Sequence, residues 1–531
     1  MNLSQFFEHW SIVENPFRGE EARNDSIFAR MGVNPRGAVG DGLVESAPGR
    51  VTMTRPSSPS VHSDFDKIIG ELSQPSTSIV FGEKGSGKTA IRLQIAGRIA
   101  RHNEDFPDRR VFLVPYDDLN AYLDHYKQRS GVKGDKNPFT TVRLVDHMDA
   151  MLSIGVGRVL NAVLPGPVNP VPANLGEQPE KRARRFPAAV RRDLLILQAV
   201  YDSNDPSGVR TARLRQLLKL PGGGMGPLVR MGLWTGWIPA VALFFWGTLF
   251  SGFEGVLGTA VDIASMVLLL LWMTLLVKVF VIDRMMIGRV ASKVARQLRM
   301  VPRVQAGYLG SLRRLNRTTV SADILPTTDS DEQRYAMFAR LQRVINAFGF
   351  TGMLVVIDRV DEPTLVNGDT ERMRSIIWPM LNNKFLQLDG VGIKMLLPIE
   401  LRHALFKESS SFFQEARLDK QNMIERLSWT GAMLYDLCST RLSVCRPASA
   451  ERISLIDLFA EDVTRADVVE ALNYMQQPRD AFKFLYRCLN EHCASVTADE
   501  NNWRIAKHTL EQVRREEAER VMQLQRGIRP A

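Results

Sequence analysis

The feature that most constrains this chain of 531 residues is a glycine-rich segment between a short apolar run and a helix. The segment is Gly82-Glu83-Lys84-Gly85-Ser86-Gly87-Lys88-Thr89, which matches the pattern G-x-x-x-x-G-K-[ST]. We predict a buried strand over Ser76 to Phe81 and a helix over Ala90 to Arg101. The glycines let backbone N–H groups converge, and the helix N-terminus adds partial positive charge. The pattern therefore predicts a loop that binds phosphate groups.

The residues of this segment have separate expected roles. The expected cofactors are ATP and Mg²⁺, and the residues expected to bind them are Gly82, Glu83, Lys84, Gly85, Ser86, Gly87, Lys88, Thr89 and Ala90. Lys88 is the expected catalytic cation, because its ammonium would reach the β- and γ-phosphates, and the Thr89 hydroxyl would ligate Mg²⁺. The alternative is a glycine-rich turn that holds no ligand.

An acidic segment supplies the second half of the predicted site. Gly352 to Ile357 is an almost wholly apolar run that predicts a central parallel strand, and Asp358 follows it directly. An acid at the carboxyl end of a buried strand is where such enzymes hold Mg²⁺, so Asp358 is a predicted metal ligand with Thr89. Asp361 or Glu362 could orient the attacking water, and both are candidate catalytic residues. A strand followed by an acidic turn is the alternative.

Further residues extend the site. Arg110 to Tyr116 and Val391 to Leu397 are predicted strands, and Glu400 and Arg402 follow the second of them as candidate polar sensors. Arg479 opens a predicted helix and is a candidate catalytic residue that could reach back to the γ-phosphate. A capping or surface arginine is the alternative for Arg479.

Two apolar stretches lie between the two halves of the site. Met231 to Phe253 contains no charged residue, and Ile263 to Ile282 is interrupted only by Lys278. About 20 apolar residues span a bilayer core as a helix, and a lysine near the end of a span can extend its ammonium to the interface. The stretches predict a transmembrane hairpin. A buried helical hairpin in a soluble domain is the alternative.

The net charge of +10 is concentrated beside these stretches. Residues 181–230 hold eleven Lys or Arg against three Asp, and residues 284–314 hold eight Lys or Arg and no acid, so the rest of the chain sums to −6. The turn at residues 254–262 has two acids and no Lys or Arg. The positive-inside rule then predicts that both flanks and both termini are cytoplasmic. Anionic membrane lipids are the expected partners of the flanks, and nucleic acid is possible but not favoured.

The four cysteines are too few for a disulfide framework. Their spacings, C-x6-C for Cys438 and Cys445 and C-x4-C for Cys488 and Cys493, differ from the usual zinc-binding patterns. We predict four reduced thiols.

The predicted fold class is α/β: a P-loop NTPase with a parallel sheet, an inserted two-helix transmembrane hairpin and a C-terminal α-helical lid domain. The expected division is 1–160 for the N-terminal part of the NTPase domain, 161–230 for a Pro-rich linker and basic juxtamembrane helices, 231–282 for the hairpin, 283–330 for a basic juxtamembrane segment, 331–410 for the second part of the NTPase domain, and 411–531 for the lid and a C-terminal helix.

The order of these pieces resembles the STAND and AAA+-like P-loop ATPases of bacteria, and in particular the KAP family. KAP proteins also carry membrane helices between the Walker A and Walker B motifs. The resemblance covers roughly residues 10–495 and is carried by Gly82 to Thr89, Tyr116-Asp117-Asp118, Ile357 to Glu362, and Pro478-Arg479-Asp480. It implies a helical lid near Asp419 to Leu442 and an adenine contact near Asn15-Pro16-Phe17.

The same resemblance implies a multi-pass protein of the bacterial inner membrane that acts in signalling, membrane-complex assembly or defence against phage. KAP members usually show two consecutive acids where this chain has Asp358 and Arg359. Many AAA+ enzymes place Glu directly after the Mg²⁺ aspartate, at the position of Arg359, so we expect either slow hydrolysis suited to a switch or a fast motor. The leading expectation is a membrane-anchored ATPase that couples nucleotide state to a protein partner or a homo-oligomer. The alternatives are a nucleotide-dependent DNA-binding ATPase and an ATP-binding scaffold with little hydrolysis.

Overall fold

The computed structural model describes residues 1–19, 21–33, 61–131, 136–164, 166, 169–221, 227–249, 256–315, 320, 324–497 and 500–525. The chain forms two compact units. The first consists of Met1–Asn120, Phe139–Val142 and Gly349–Ala531, and the second of Ala121–Pro138 and Arg143–Phe348. The second unit thus runs from residue 121 to residue 348, with residues 139–142 belonging to the first. Residues 254–255 of the turn between the apolar stretches lie outside the described residues.

The first unit contains a five-stranded sheet in which every pairing is parallel. Its strands are β1 (Ser78–Gly82), β2 (Arg110–Tyr116), β3 (Phe350–Ile357), β4 (Val391–Pro398) and β5 (Asn422–Ile424), in the order β2-β3-β4-β1-β5. The predicted α/β class with a parallel sheet is confirmed. The sequence did not predict β5, which pairs with β1 at the edge of the sheet. A strand of three residues carries no periodicity that separates it from its helical surroundings.

Apolar burial accounts for the central position of β3 and β4. All eight residues of β4 are buried, and seven of the eight in β3 are buried as well. Strands of a parallel sheet are covered on both faces and therefore consist of nearly continuous apolar residues. Val80, Val356 and Leu396 belong to one core cluster with the helices on their face of the sheet. Lys394 is the exception, because its side chain is fully buried in the middle of β4.

Helices form most of the remaining described structure. In chain order they are α1 (Leu3–His9), α2 (Ser26–Phe28), α3 (Phe65–Ile69), α4 (Lys88–Asp105), α5 (Asn120–Ser130), α6 (Leu144–Val163), α7 (Pro179–Arg185), α8 (Ala188–Tyr201), α9 (Val209–Leu217), α10 (Pro227–Thr235), α11 (Ile238–Leu249), α12 (Val256–Val277), α13 (Asp283–Gln297), α14 (Gln305–Leu312), α15 (Asp331–Ala347), α16 (Thr370–Ile377), α17 (Asn383–Leu386), α18 (Ile399–Leu405), α19 (Ser410–Ala416), α20 (Gly431–Val444), α21 (Arg465–Asn473), α22 (Pro478–Ser495) and α23 (Lys507–Gln525). Helices α6 to α15 belong to the second unit.

The helical region after β5, residues 425–525, shares one core with the first residues of the chain. Phe6, Ile12 and Phe17 are buried in the same cluster as apolar residues of α20 to α23. The buried Arg441 donates from Nε to the Pro16 carbonyl at 2.7 Å and pairs with Asp25 at 2.6 Å. The N-terminal segment therefore packs with the C-terminal helices, which the sequence did not predict. The four cysteines lie in this region and are buried and free, as predicted.

The second unit is held together by buried polar contacts between its helices. Asp149 on α6 accepts hydrogen bonds from the Tyr201 hydroxyl at 2.9 Å and from Arg334 Nη2 on α15 at 3.2 Å. Asp205 Oδ2 accepts from Thr211 through both its amide, at 3.0 Å, and its hydroxyl, at 2.7 Å. These contacts satisfy carboxylates that are fully buried, so the network stabilises the packing of the helices.

One apolar helix is long enough to span a membrane. Helix α12, a π-helical turn at Lys278–Ile282 and α13 form a continuous helix over Thr259–Gln297. It has 39 residues, and its most apolar 18-residue window has a mean hydropathy of 2.5 and is 11% buried. Among the described residues it is the one helix whose length and composition suffice to cross a bilayer.

The first apolar stretch departs from its prediction as a single spanning helix. It is divided into α10 and α11, between Thr235 and Ile238, and its apolar segment Met231–Trp246 is shorter than a span. Pro239 explains the division, because proline has no amide hydrogen to donate to the Thr235 carbonyl one turn earlier. The predicted pair of spanning helices is therefore reduced to one helix that meets the criteria within the described residues.

Candidate functional site

The loop between β1 and α4 is shaped by its glycines. Gly85 and Gly87 have φ angles of +100° and +95°, a conformation that residues with a Cβ rarely adopt. A Cβ on Gly82 would lie 2.5 Å from Ser86 Oγ and 3.3 Å from Lys88 Cγ. The absence of side chains at these positions therefore lets the loop turn tightly onto the first turn of α4.

Lys88 is the first residue of α4, and its ammonium lies over the loop. Nζ donates to the carbonyl oxygen of Gly82 at 2.8 Å and of Glu83 at 3.0 Å. Burial lowers the pKa of Lys88, and the negative charges of Asp361 and then Asp358 oppose this effect. These carboxylates therefore lie close enough to act on the Lys88 charge.

The amides at the start of α4 precede the helical hydrogen-bond ladder. The first helical bond runs from the Ile91 amide to the Gly87 carbonyl at 2.9 Å. The backbone N–H groups of Lys88, Thr89 and Ala90 thus have no carbonyl one turn earlier within the helix. Together with the helix dipole they make this end of α4 favourable for an anion.

Asp358 follows β3 and is buried, with 1% of its surface exposed. Its Oδ2 lies 3.5 Å from Arg92 Nε but accepts no hydrogen bond, and Arg92 in turn bonds Asp117 at the end of β2. Burial raises the pKa of Asp358, although the positive charges of Arg92 and Lys88 lower it in part. The carboxylate is therefore held close to two cations with one oxygen still unbonded.

The order of the strands explains why these residues meet beyond the carboxyl ends of the strands. β1 and β4 are neighbours, yet the chain leaves β1 towards β2 at one edge and leaves β4 towards β5 at the other. Where the connections of adjacent parallel strands diverge, a crevice forms beyond their carboxyl ends, and ligands of open α/β sheets bind there. The glycine loop follows β1, and Glu400 follows β4.

The turn after Asp358 separates the two candidate bases. Arg359 has a φ of +61° and forms an ion pair with Glu362, whose side chain is exposed. Asp361 is half-buried, and of the carboxylates around Lys88 it has the strongest effect on the pKa of that lysine. Asp361 therefore acts on the Lys88 charge more strongly than Glu362, which is held against Arg359.

Arg479 lies beside the loop. A Cβ on Gly85 would be 3.1 Å from Arg479 Cβ and 3.0 Å from Gln477 Oε1. The Trp429 indole donates to the Ser86 carbonyl at 2.8 Å. Sequence analysis did not identify Gln477 or Trp429, because each lies more than 300 positions from the loop and belongs to no motif.

Other predicted residues have different surroundings. Arg402 pairs with Glu425 at 2.7 Å, and Glu400 contributes to the charge around Lys88. Phe17, which the resemblance placed near an adenine contact, is 2% exposed in the core of the helical region. Its ring is therefore covered by protein side chains and does not present a face to a base.

Comparison of the chain with models of known protein families, with curated proteins and with solved structures found no match.

Proposed function

We propose that this chain is a membrane-anchored ATPase that binds and hydrolyses ATP with Mg²⁺ and acts as a nucleotide-dependent switch or assembly factor. The observation that carries the proposal is the meeting of the glycine-shaped loop, Lys88 and the buried Asp358 at one end of the parallel sheet. A buried carboxylate oxygen without a hydrogen bond is costly for folding unless a ligand uses it. Perturbed ionisable groups in a crevice are typical of functional sites.

The residues of the loop fit a nucleotide with its metal ion. The described residues contain no group of three His, Cys, Asp or Glu side chains that could hold a metal by themselves. Mg²⁺, however, is usually bound through one or two protein oxygens together with phosphate oxygens and waters. Thr89 and Asp358 would hold it, and the unbonded Oδ2 of Asp358 supports this assignment. Bound Mg²⁺ would neutralise charge on the phosphates.

The protein groups then divide the remaining tasks. The amides from Glu83 to Ala90 would donate to phosphate oxygens, and the Lys88 ammonium would leave the loop carbonyls for the phosphates. Asp361 is the favoured residue to orient and deprotonate water, because Arg359 neutralises Glu362. Arg479 would stabilise the negative charge that develops on the transferred phosphoryl group.

The membrane anchor rests on a second observation. Helices α11 and α12 pack on each other, but large apolar side chains on their outer faces are exposed: Trp246 by 60%, Ile263 by 64% and Leu271 by 61%. A core helix of a soluble protein would bury such residues, and a group of exposed large apolar side chains on one helix pair is typical of an interaction surface. We propose that α11 and α12 insert into the bacterial inner membrane together as a hairpin, although α11 by itself is shorter than a span. This arrangement would keep both termini cytoplasmic and the basic flanks against anionic lipid.

An ATP-binding scaffold with little hydrolysis is the second candidate. The ion pair between Arg359 and Glu362 favours it, since it removes one of the two possible bases. Turnover by Asp361 separates the two candidates. Homo-oligomers and protein partners are predictions of both.

The test is the thermal stabilisation of the detergent-solubilised chain by ATP with Mg²⁺. Lys88→Ala should abolish the stabilisation, because the loop loses the cation that would bind the phosphates. Lys67→Ala, at an exposed lysine of α3, is the matched control and should keep the full effect. Stabilisation of the Lys88 variant equal to that of the control would refute the proposed site.

A further inference from the structure

Glu83, the second residue of the phosphate loop, is bound by side chains of the helical region. Its Oε1 accepts a hydrogen bond from Arg426 Nη2 at 2.7 Å, and its Oε2 accepts one from Gln477 Nε2. Glu83 is thus a carboxylate placed within a loop that is shaped to receive anions. Its negative charge opposes an anion there unless a cation compensates it.

Arg426 supplies that cation, and its backbone is anchored beside the strand that leads into the loop. The next residue, Leu427, donates its amide to the Phe81 carbonyl of β1 at 2.7 Å, which aligns this segment with the strand that leads into the loop. Arg426 Nη2 also donates to Gln476 Oε1 at 3.1 Å. The described hydrogen bonds of Arg426 all use Nη2, and its side chain is 45% exposed. Nε and Nη1 take part in none of these bonds.

A guanidinium in this place has two competing anions. Arginine binds phosphate through two parallel hydrogen bonds, and a triphosphate carries more charge than one carboxylate. The ion pair with Glu83 is partly exposed, and such pairs contribute little stability, so breaking it costs little. We propose that Arg426 exchanges between the Glu83 carboxylate and the terminal phosphate of a bound nucleoside triphosphate, so that Glu83 is an internal competitor that sets nucleotide affinity.

This inference rests on the proposed function and adds a regulatory pair to the same site. Glu83→Gln keeps the shape of the side chain and its capacity to bond Gln477 but removes the charge that holds Arg426. We expect the Kd for ATP with Mg²⁺ to fall by about tenfold, a typical coupling between sites. The Kd for ADP, which lacks the terminal phosphate, should change less than about threefold.

The experiment is a double-mutant cycle on the full-length chain in detergent, with Kd values for ATP and ADP from titration calorimetry. Its variants are Glu83→Gln, Arg426→Gln and the pair of substitutions together. Glu425→Gln is the matched control, because it removes the same charge one residue away from Arg426, where the partner is Arg402. Arg426→Gln should raise the Kd for ATP, and in its presence Glu83→Gln should have less than a twofold effect.

The outcomes are distinguishable. An unchanged Kd for Glu83→Gln, or a tenfold effect that persists without Arg426, would overturn the exchange. An equal fall in Kd for the Glu425 control would overturn it too, since a general charge effect would then suffice. ATP binding that survives Lys88→Ala would instead overturn the proposed function itself. If Arg426→Gln unfolds the chain, Arg426→Lys replaces it and should weaken ATP binding while ADP binding is kept.

Discussion

Two buried aspartates, one in each unit, show how differently the chain treats a carboxylate. Asp205 in the second unit accepts hydrogen bonds from Thr211 and Gln198, whereas Asp358 at the end of β3 keeps one oxygen without any. Burial raises the pKa of Asp358. At Asp205 burial acts in the same direction, but hydrogen bonds from Thr211, Gln198 and Arg210 together outweigh it, and the pKa is lowered. A satisfied carboxylate stabilises a fold, and an unsatisfied one at a crevice is available to a ligand.

The largest expected effect concerns two acids of one turn. Asp361 forms no ion pair within the described residues, whereas Glu362 is paired with Arg359. If the unpaired acid is the base, Asp361→Asn should lower kcat for ATP hydrolysis by about 10³-fold while ATP binding is kept, because an amide cannot accept the proton. The measurement is steady-state phosphate release.

Glu362→Gln is the matched control for this prediction and should retain most of the activity. A loss of turnover in the Glu362 variant alone would reverse the assignment. Wild-type turnover in both variants would favour the scaffold.

Replacement of the hydrogen-bonded Asp205 should lower the stability of the fold. Asp205→Ala removes the acceptor of several buried donors in the second unit, so we expect a loss of about 3 kcal/mol in the free energy of unfolding. The melting temperature of the detergent-solubilised chain measures this loss. Glu177→Ala, an exposed acid of the same unit, should be neutral. Equal melting temperatures for the two variants would contradict the distinction between the two carboxylates.

Lys394 tests whether an unpaired buried group always belongs to a functional site, because it is buried and unpaired but lies in the middle of a strand. Its Nζ has no hydrogen-bond partner, and burial lowers its pKa to about 7. We expect Lys394→Met to stabilise the fold by about 2 kcal/mol at pH 7, since no charge or polar group is then buried without a partner. ATP binding should be unchanged in this variant. An altered affinity for ATP would mean that a buried group without a partner indicates function even when it lies away from the strand ends.

The pH dependence of the Lys394 variant has a defined sign. Between the folded pKa of about 7 and the unfolded value of about 10.4, the unfolded chain binds a proton that the folded chain lacks. The stability of the wild type therefore rises with pH in this range, by up to about 1.4 kcal/mol per unit. The advantage of Lys394→Met should accordingly vanish near pH 9. Denaturation curves at pH 7, 8 and 9 test this, and a constant difference would contradict it.

The smallest effect is expected at Asp358. Asp358→Asn should weaken ATP binding in the presence of Mg²⁺ by about tenfold. Replacing a carboxylate that supports a metal site costs affinity of this order. Stability without nucleotide should be unchanged or higher, because a buried charge is removed. Titration with EDTA is the control, and there the variant and the wild type should bind alike. A stability loss as large as that of Asp205→Ala would give Asp358 a structural role.

Short sequence patterns predicted the elements that depend on residues close together in the chain. The glycine loop, β2 to β4 and the acid after β3 follow from runs of a few residues whose backbone and burial needs are evident in the sequence. The contacts of Arg426 and Gln477 with Glu83 depend on how segments separated by more than 340 positions pack, which no short pattern encodes. The burial of Lys394 was not predicted either, because the sequence of an apolar strand does not show which side chains will cover a lysine within it.

The uninterrupted helix over Thr259–Gln297 has a mechanical consequence. Its 39 residues make it about 58 Å long, nearly twice the roughly 30 Å of a hydrocarbon core. If its apolar part lies in the bilayer, about 28 Å of the same rod continues outside, through the π-helical turn at Lys278–Ile282. A tilt of about 10° within the lipid would then swing the far end of α13 by about 5 Å, so the helix would transmit motion in the bilayer to the segment outside it.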